Sequence, residues 1–141
     1  MSEGLLLDTG PLVAWLDAED QWHDIAVDCS KGVHPPFLTC EPVLTEACFL
    51  LQHLPKAVDQ IGAWLETGQI QIPFCLQNTA QRVFALMEKY QNLPMSLADA
   101  SLVAMLEAEL GDRVFTLDEH FRIYRHSGRR VVPVLMPGGG R

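Results

Sequence analysis

The stretch Leu5-Leu6-Leu7-Asp8-Thr9-Gly10-Pro11 decides the fold. A short apolar run bounded by turn formers reads as a buried strand, and Thr9-Gly10-Pro11 ends it at once. Pro11 has its φ preset for the first turn of a helix, so the strand delivers a carboxylate to its own end and passes directly into a helix. Val114-Phe115-Thr116-Leu117, followed by Asp118-Glu119-His120-Phe121, repeats the arrangement near the other end of the chain. Strands are expected over 5–8, 37–39, 70–73, 114–117 and 131–135, alternating with helical patterns. That alternation is the signature of βαβ units: an α/β chain with a four- or five-stranded, mainly parallel sheet and helices on both faces. Pro133 cannot donate to a ladder, which puts the last strand at a sheet edge.

Apolar residues recur at three- and four-residue steps in Trp22, Ile25, Ala26 and Cys29, in Val58, Ile61 and Leu65, and in Ala80, Val83, Phe84 and Met87. Each set gives a helix one core-facing stripe. Two more helices follow Glu41-Pro42 and Pro94-Met95-Ser96, the second ending near Gly111, and both carry acids among apolar residues. No internal repeat or linker interrupts the pattern, so residues 1–141 are expected to form one domain, with 137–141 a mobile tail.

At 141 residues, 48% of them hydrophobic, the chain can bury a core without disulfides or a structural metal. No apolar run is long enough to span a bilayer, and Asp8 cuts off the N-terminal leucines before they can make a secretory signal, so a soluble cytoplasmic protein is expected. Cys29, Cys40, Cys48 and Cys75 lie scattered among apolar neighbours, as buried thiols in a reducing compartment do. His23, His34, His53, His120 and His126 have no ligand spacing with one another or with a cysteine, which leaves them as solvated or capping residues. The net charge of −8 argues against a protein that grips nucleic acid through an overall positive field. The charge is uneven, however. Residues 1–112 hold 4 Lys/Arg against 16 Asp/Glu, whereas residues 113–141 hold 6 against 2, so the C-terminal segment alone is cationic.

Asp8 and Asp118 stand at strand ends, where open α/β sheets bind their ligands. Each is equally suited to cap a helix, and Ser96-Leu97-Ala98-Asp99 has the spacing of a capping box with Asp in place of Glu. Glu46 differs, because on its helix it shares a face with Val43 and Leu50, where a half-buried acid without a partner is costly. Convergence of all four above the carboxyl edge of the sheet accounts for the set. Two carboxylates about 4 Å apart repel by roughly 4 kcal/mol at an effective dielectric of about 20, so such a cluster requires bound cations or shared protons. All-oxygen donors without converging His or Cys favour Mg²⁺ or Mn²⁺ over Zn²⁺.

Leu6-Leu7-Asp8-Thr9-Gly10-Pro11, Thr45-Glu46-Ala47, Leu97-Ala98-Asp99-Ala100 and Phe115-Thr116-Leu117-Asp118-Glu119-His120-Phe121 span nearly the whole chain. In this order they resemble the acidic motifs of PIN-domain nucleases, in particular the VapC-type toxin ribonucleases. The resemblance implies a three-layer α/β/α sandwich and a divalent-metal-dependent endoribonuclease, the toxin of a toxin–antitoxin pair, that leaves a 5′-phosphate and a 3′-hydroxyl on RNA. It makes Asp8, Glu46, Asp99 and Asp118 the catalytic acids, with Asp8, Asp99 and Asp118 as metal ligands. Glu46 would hold metal through water or orient the nucleophile. Thr9 and Thr116 match the supporting hydroxyls, and Glu119 is a second candidate for the fourth acid's place. A homodimer and an antitoxin protein that blocks the acids are implied as well. Trp15, Trp22, Phe49, Leu50 and Leu51 are candidates for an interface and equally for the core.

Other readings stay open. No Walker loop or dinucleotide fingerprint is present. A receiver-like phospho-acceptor domain shares the sheet type and the strand-end acids, but it wants a strand-end lysine, and Lys31, Lys56 and Lys89 fall in helical patterns. A catalytically silent interaction module of the same fold is the other alternative. The basic cluster Arg122, Arg125, Arg129 and Arg130 follows Asp118. Arg122 and Arg125, about one turn apart on a helix, are expected to contact RNA phosphates beside the acids.

Overall fold

Leu6 and Leu7 are fully buried because β1 (Leu5–Leu7) is the central strand of its sheet, covered on both faces. A computed structural model describes residues 4–137, so residues 138–141 of the expected tail lie outside the described residues. From β1 the chain runs through α1 (Thr9–Leu16), α2 (His23–Cys29), β2 (Phe37–Leu38), α3 (Glu41–Leu50), α4 (Pro55–Thr67), β3 (Ile70–Gln71), α5 (Leu76–Lys89) and α6 (Leu97–Glu107). It then forms β4 (Arg113–Phe115), a hairpin of β5 (Arg125–His126) and β6 (Arg130–Val131), and finally β7 (Val134–Leu135). The main sheet has five strands in the order β3-β2-β1-β4-β7, every neighbouring pair parallel.

Side chains alternate along β1, so Leu6 faces one side and Leu5 and Leu7 the other. Leu6 joins Val83, Leu86, Leu102 and Met105 of α5 and α6, whereas Leu5 and Leu7 join Leu12, Leu44, Ala47 and Ile61 of α1, α3 and α4. Two cores on the two faces of one sheet make the three-layer α/β/α sandwich. α6 is the most deeply placed helix: every residue from 98 to 106 is buried, the pattern of a helix that is apolar all round. It ends before Gly111, where a Cβ would come within 2.7 Å of the Leu6 side chain, so the return to β4 needs glycine there.

Several expectations are corrected. The last strand does lie at an edge, but the run 131–135 is split: Val131 pairs with Arg125 in the hairpin, Pro133 interrupts, and only Val134–Leu135 joins the sheet. The segment after Asp118 is a short 3-10 turn over Glu119–Arg122 followed by that hairpin, not a helix that would set Arg122 and Arg125 one turn apart. α2 buries only Ala26, leaving Trp22 and Ile25 exposed, because its seven residues pack chiefly on α1. Phe84 is likewise exposed, since α5 turns Val83 and Leu86 inward. Cys75 is exposed at the start of α5 rather than buried. Of the interface candidates, Leu51 is fully buried and Trp15 packs between Phe37 and Phe115, so both serve the core. Among the described residues no helix is long and apolar enough to cross a membrane.

The depth of α6 yields an expected outcome for chemical denaturation. Leu102→Ala, at a fully buried position, is expected to cost about 2–5 kcal/mol, the range for a core leucine whose cavity cannot collapse. Phe84→Ala, on the exposed side of α5, should cost less than about 1 kcal/mol.

Candidate active site

The parallel register sets Leu7 beside Phe115, so the residues that follow, Asp8 and Thr116, leave the sheet abreast. The Asp8 N–H still donates to the Phe115 carbonyl at 3.0 Å, which extends the ladder by one step before α1 begins. Asp8 is the N-cap of α1, its Oδ1 accepting from the Thr9 N–H at 2.8 Å. Its Oδ2 accepts from the Thr116 hydroxyl at 2.7 Å, and that hydroxyl accepts in turn from the Asp118 N–H at 2.9 Å. Thr116 is fully buried and links both strand-end acids through one oxygen. Gly10 permits the close approach, because a Cβ there would lie 3.3 Å from Leu117.

Capping and placement at the carboxyl edge of the sheet coincide at Asp8 and Asp118, but not at Asp99. Asp118 Oδ1 accepts from the His120 N–H at 2.9 Å and so caps the 3-10 turn. In α6 the cap is Ser96, whose hydroxyl accepts from the Asp99 N–H at 3.0 Å. Asp99 Oδ2 accepts instead from the buried Tyr124 hydroxyl at 2.8 Å. Glu46 is exposed, not half-buried as its helical face suggested; its Oε1 accepts from the Thr9 hydroxyl at 2.9 Å. Glu119 is exposed and paired with Arg122 at 2.9 Å.

Asp8, Glu46, Asp99 and Asp118 all line one cavity of about 510 Å³ at the carboxyl edge of the sheet. Asp20, Trp22, Ser96 and His120 line it too, and among the described residues no lysine or arginine does. A receiver-like site, which needs a lysine beside its acids, is not built here. The electrostatic consequence is strongest at Asp8. Burial pushes its carboxyl from the ordinary 3.8 up to about 7, with Asp99 and Asp118 adding repulsion and the bonds from Thr116 and Thr9 opposing. Burial also raises Asp99, against the Tyr124 bond and with the Asp118 charge adding to it. The positive ends of α1 and α6 both lie at the acids and moderate this cost without removing it.

Tyr124 and Asp20 carried no functional signal in the sequence, His120 entered only as part of the fourth motif, and Trp22 only as an interface candidate. Tyr124 is held between Tyr90 and Phe121 in edge-on contacts with centroids 5.1 Å apart. An aromatic at that position reads as core, and only the buried phenol with an acid partner reveals the second role. His120 Nδ1 lies 3.6 Å from Asp118 Oδ1. Arg122 and Arg125 do not line the cavity. Arg125 Nη1 donates to the carbonyls of Arg122, Ile123 and Tyr124 at 2.9–3.0 Å, and Arg122 Nε is bound to Glu119.

Among the described residues, no group of three or more His, Cys, Asp or Glu side chains is so arranged that it could hold a metal ion as it stands. The donor set is nonetheless all oxygen, partly desolvated and without a balancing side-chain cation, and these properties fit a hard divalent cation that keeps part of its water shell.

No family model matches the sequence, and no curated protein matches it significantly. Solved structures do match. One is the crystal structure of VapC20 from Mycobacterium tuberculosis, described as a toxin that cleaves the sarcin–ricin loop. It aligns with a TM-score of 0.73 and 17% sequence identity over 82% of this chain and 91% of the other. The chain therefore has the PIN-like α/β/α fold of that toxin, as the ordered acidic motifs implied.

Proposed function

We propose that the protein is a divalent-metal-dependent endoribonuclease, the toxin of a toxin–antitoxin pair, with Asp8, Glu46, Asp99 and Asp118 as its catalytic acids. One observation carries this reading: a carboxyl raised to about 7 by burial, in a cavity with four further acids and no lysine or arginine. A buried acid that neither ionises freely nor pairs with a cationic side chain is costly to keep. A Mg²⁺ or Mn²⁺ ion offsets that cost, and Asp8, Asp99 and Asp118 are the residues that would hold it. When bound, the cation would supply Lewis acidity to a phosphodiester and make a nearby water more acidic. The chain's own groups do the positioning. Thr116 fixes Asp8 and the Asp118 backbone, Tyr124 fixes Asp99, and Thr9 leaves Glu46 at the exposed rim, where its carboxylate can accept a proton from attacking water. In-line attack by that water with loss of the 3′-oxygen yields the 5′-phosphate and 3′-hydroxyl ends. The toxin role of the fold neighbour supports RNA as the substrate class. An antitoxin protein and a second copy of the chain are the proposed partners.

Asp8→Asn and Asp99→Asn are expected to abolish Mn²⁺-dependent cleavage of single-stranded RNA while leaving the circular dichroism spectrum unchanged. Wild-type cleavage rates in either variant would refute the metal assignment.

The pH dependence has a definite sign. Asp8 and Asp99 both have folded values above their unfolded ones, so the folded protein keeps protons that the unfolded chain releases. Their contribution to the stability of metal-free protein is full below about pH 4 and is lost, by on the order of a few kcal/mol, as pH rises through about 7. Melts in chelator should show this decline, and Asp8→Asn should flatten it. Added Mn²⁺ should raise the melting temperature more at about pH 8 than at about pH 5, because protons compete for the same oxygens.

Arg122 and Arg125 remain proposed phosphate contacts that act by exchanging the bonds they now hold. Each lost contact should reduce the log–log salt slope of single-strand RNA binding by about 0.7. An Arg122→Ala/Arg125→Ala protein with an unchanged slope and a lower melting temperature would assign both to structure.

A further inference from the structure

A second groove adjoins the acid cavity and is larger, about 650 Å³. It runs between α3 and the start of α6, lined by Pro42, Phe49, Phe74 and Leu97, and shares Glu46 and Ser96 with the cavity. The fold does not need Phe49 in this position. It is 67% exposed on a helix whose inward face consists of Val43, Leu44 and Ala47.

The chemistry of the groove selects its occupant. Among the described residues no lysine or arginine lines it, and Glu41 and Glu46 stand on its α3 side, so a phosphate there would meet repulsion. An uncharged planar ring meets the opposite conditions: an aromatic face to stack on and carboxylate acceptors for exocyclic amino groups. Resting on the nuclease reading above, we propose that this groove receives one nucleobase adjoining the scissile phosphate, stacked on Phe49, and that Phe49 is a substrate-binding residue that sets which strand position is cut. Continuity through Glu46 and Ser96 lets a nucleotide whose phosphate lies at the acids turn its base into the groove across a single shared ridge.

The test begins with total RNA digested by the wild-type protein in Mn²⁺ and mapped for new 5′ ends. An oligomer copied from a mapped site is then prepared intact and with one abasic ribose at each position near the cut. With wild-type protein, one abasic position should raise KM about tenfold, the scale of a lost base–aromatic stack. Phe49→Ala should raise KM for the intact oligomer by a similar factor, and the two changes together should cost no more than either alone. Because Phe49 is largely exposed, the alanine variant is expected to melt within a few degrees of wild type. Independent, multiplying effects would overturn the base subsite while leaving the nuclease intact. If Phe49→Ala also turned a sedimenting dimer into a monomer, the groove would belong to contact between copies. Wild-type protein that produces no new ends would overturn the nuclease reading and the subsite with it.

Discussion

A carboxylate buried at the end of the central strand constrains everything around it. Asp8 has only two ways to be tolerated, as a neutral acid or as an anion beside a cation, and the hydrogen bonds from Thr9 and Thr116 only partly offset its loss of water. The Thr9 bond is the local cap of α1, whereas the Thr116 bond exists because β1 and β4 run parallel in one register. Slipping that register by a single residue would turn Asp8 to the opposite face of the sheet and separate it from Thr116. The active edge is therefore an extension of the strand pairing, and its precision derives from backbone hydrogen bonds rather than from flexible loops.

Behind the acids, α6 joins two requirements that usually conflict. Its middle is apolar on every side, so it anchors the core between α5 and the hairpin segment. Its first turn presents Asp99 to the cavity. Tyr124 reconciles the two, contributing an aromatic ring to the core and a hydroxyl to the Asp99 carboxylate. The Tyr90 hydroxyl accepts the Arg125 N–H at 2.9 Å and holds the segment that carries Tyr124. The C-terminal segment thus acts as a brace for the site, in which Arg125 binds the carbonyls and Arg122 the Glu119 carboxylate of their own turn.

How legible this was in the sequence depended on whether a signal was local. The strand-end acids were legible because an apolar triplet broken by Asp-Thr-Gly-Pro fixes strand, carboxylate and helix start within seven residues. A sheet of four or five mainly parallel strands followed from alternation alone, and Pro133 correctly marked an edge. The hairpin was missed because Val131, Val134 and Leu135 read as one apolar run, although the turn-forming dipeptide Ser127-Gly128, with positive φ at both residues, was a local signal for it. The exposure of Trp22 and Phe84 was missed for a different reason. A stripe at helical spacing shows which residues share a face, but how much of that face a short or marginal helix buries is set by its neighbours. Tyr124 was invisible because its partner lies 25 residues away and its ring is needed in the core regardless.

A net charge of −8 remains the central physical difficulty for a protein proposed to act on a polyanion. The cationic C-terminal segment does not resolve it by placing lysine or arginine in the acid cavity, because none lines it. Long-range steering of RNA is consequently weak, and association should be slow compared with a basic nuclease. Local interactions must replace the missing field. At the acids the phosphate is attracted only to the extent that bound divalent charge outweighs the carboxylates. Beside them, stacking of a base on an exposed aromatic ring contributes affinity that does not depend on charge. On the proposed reading, such a site would bind poorly wherever the flanking base cannot reach the groove, so the acidic surface itself would discriminate against RNA held in an unsuitable shape.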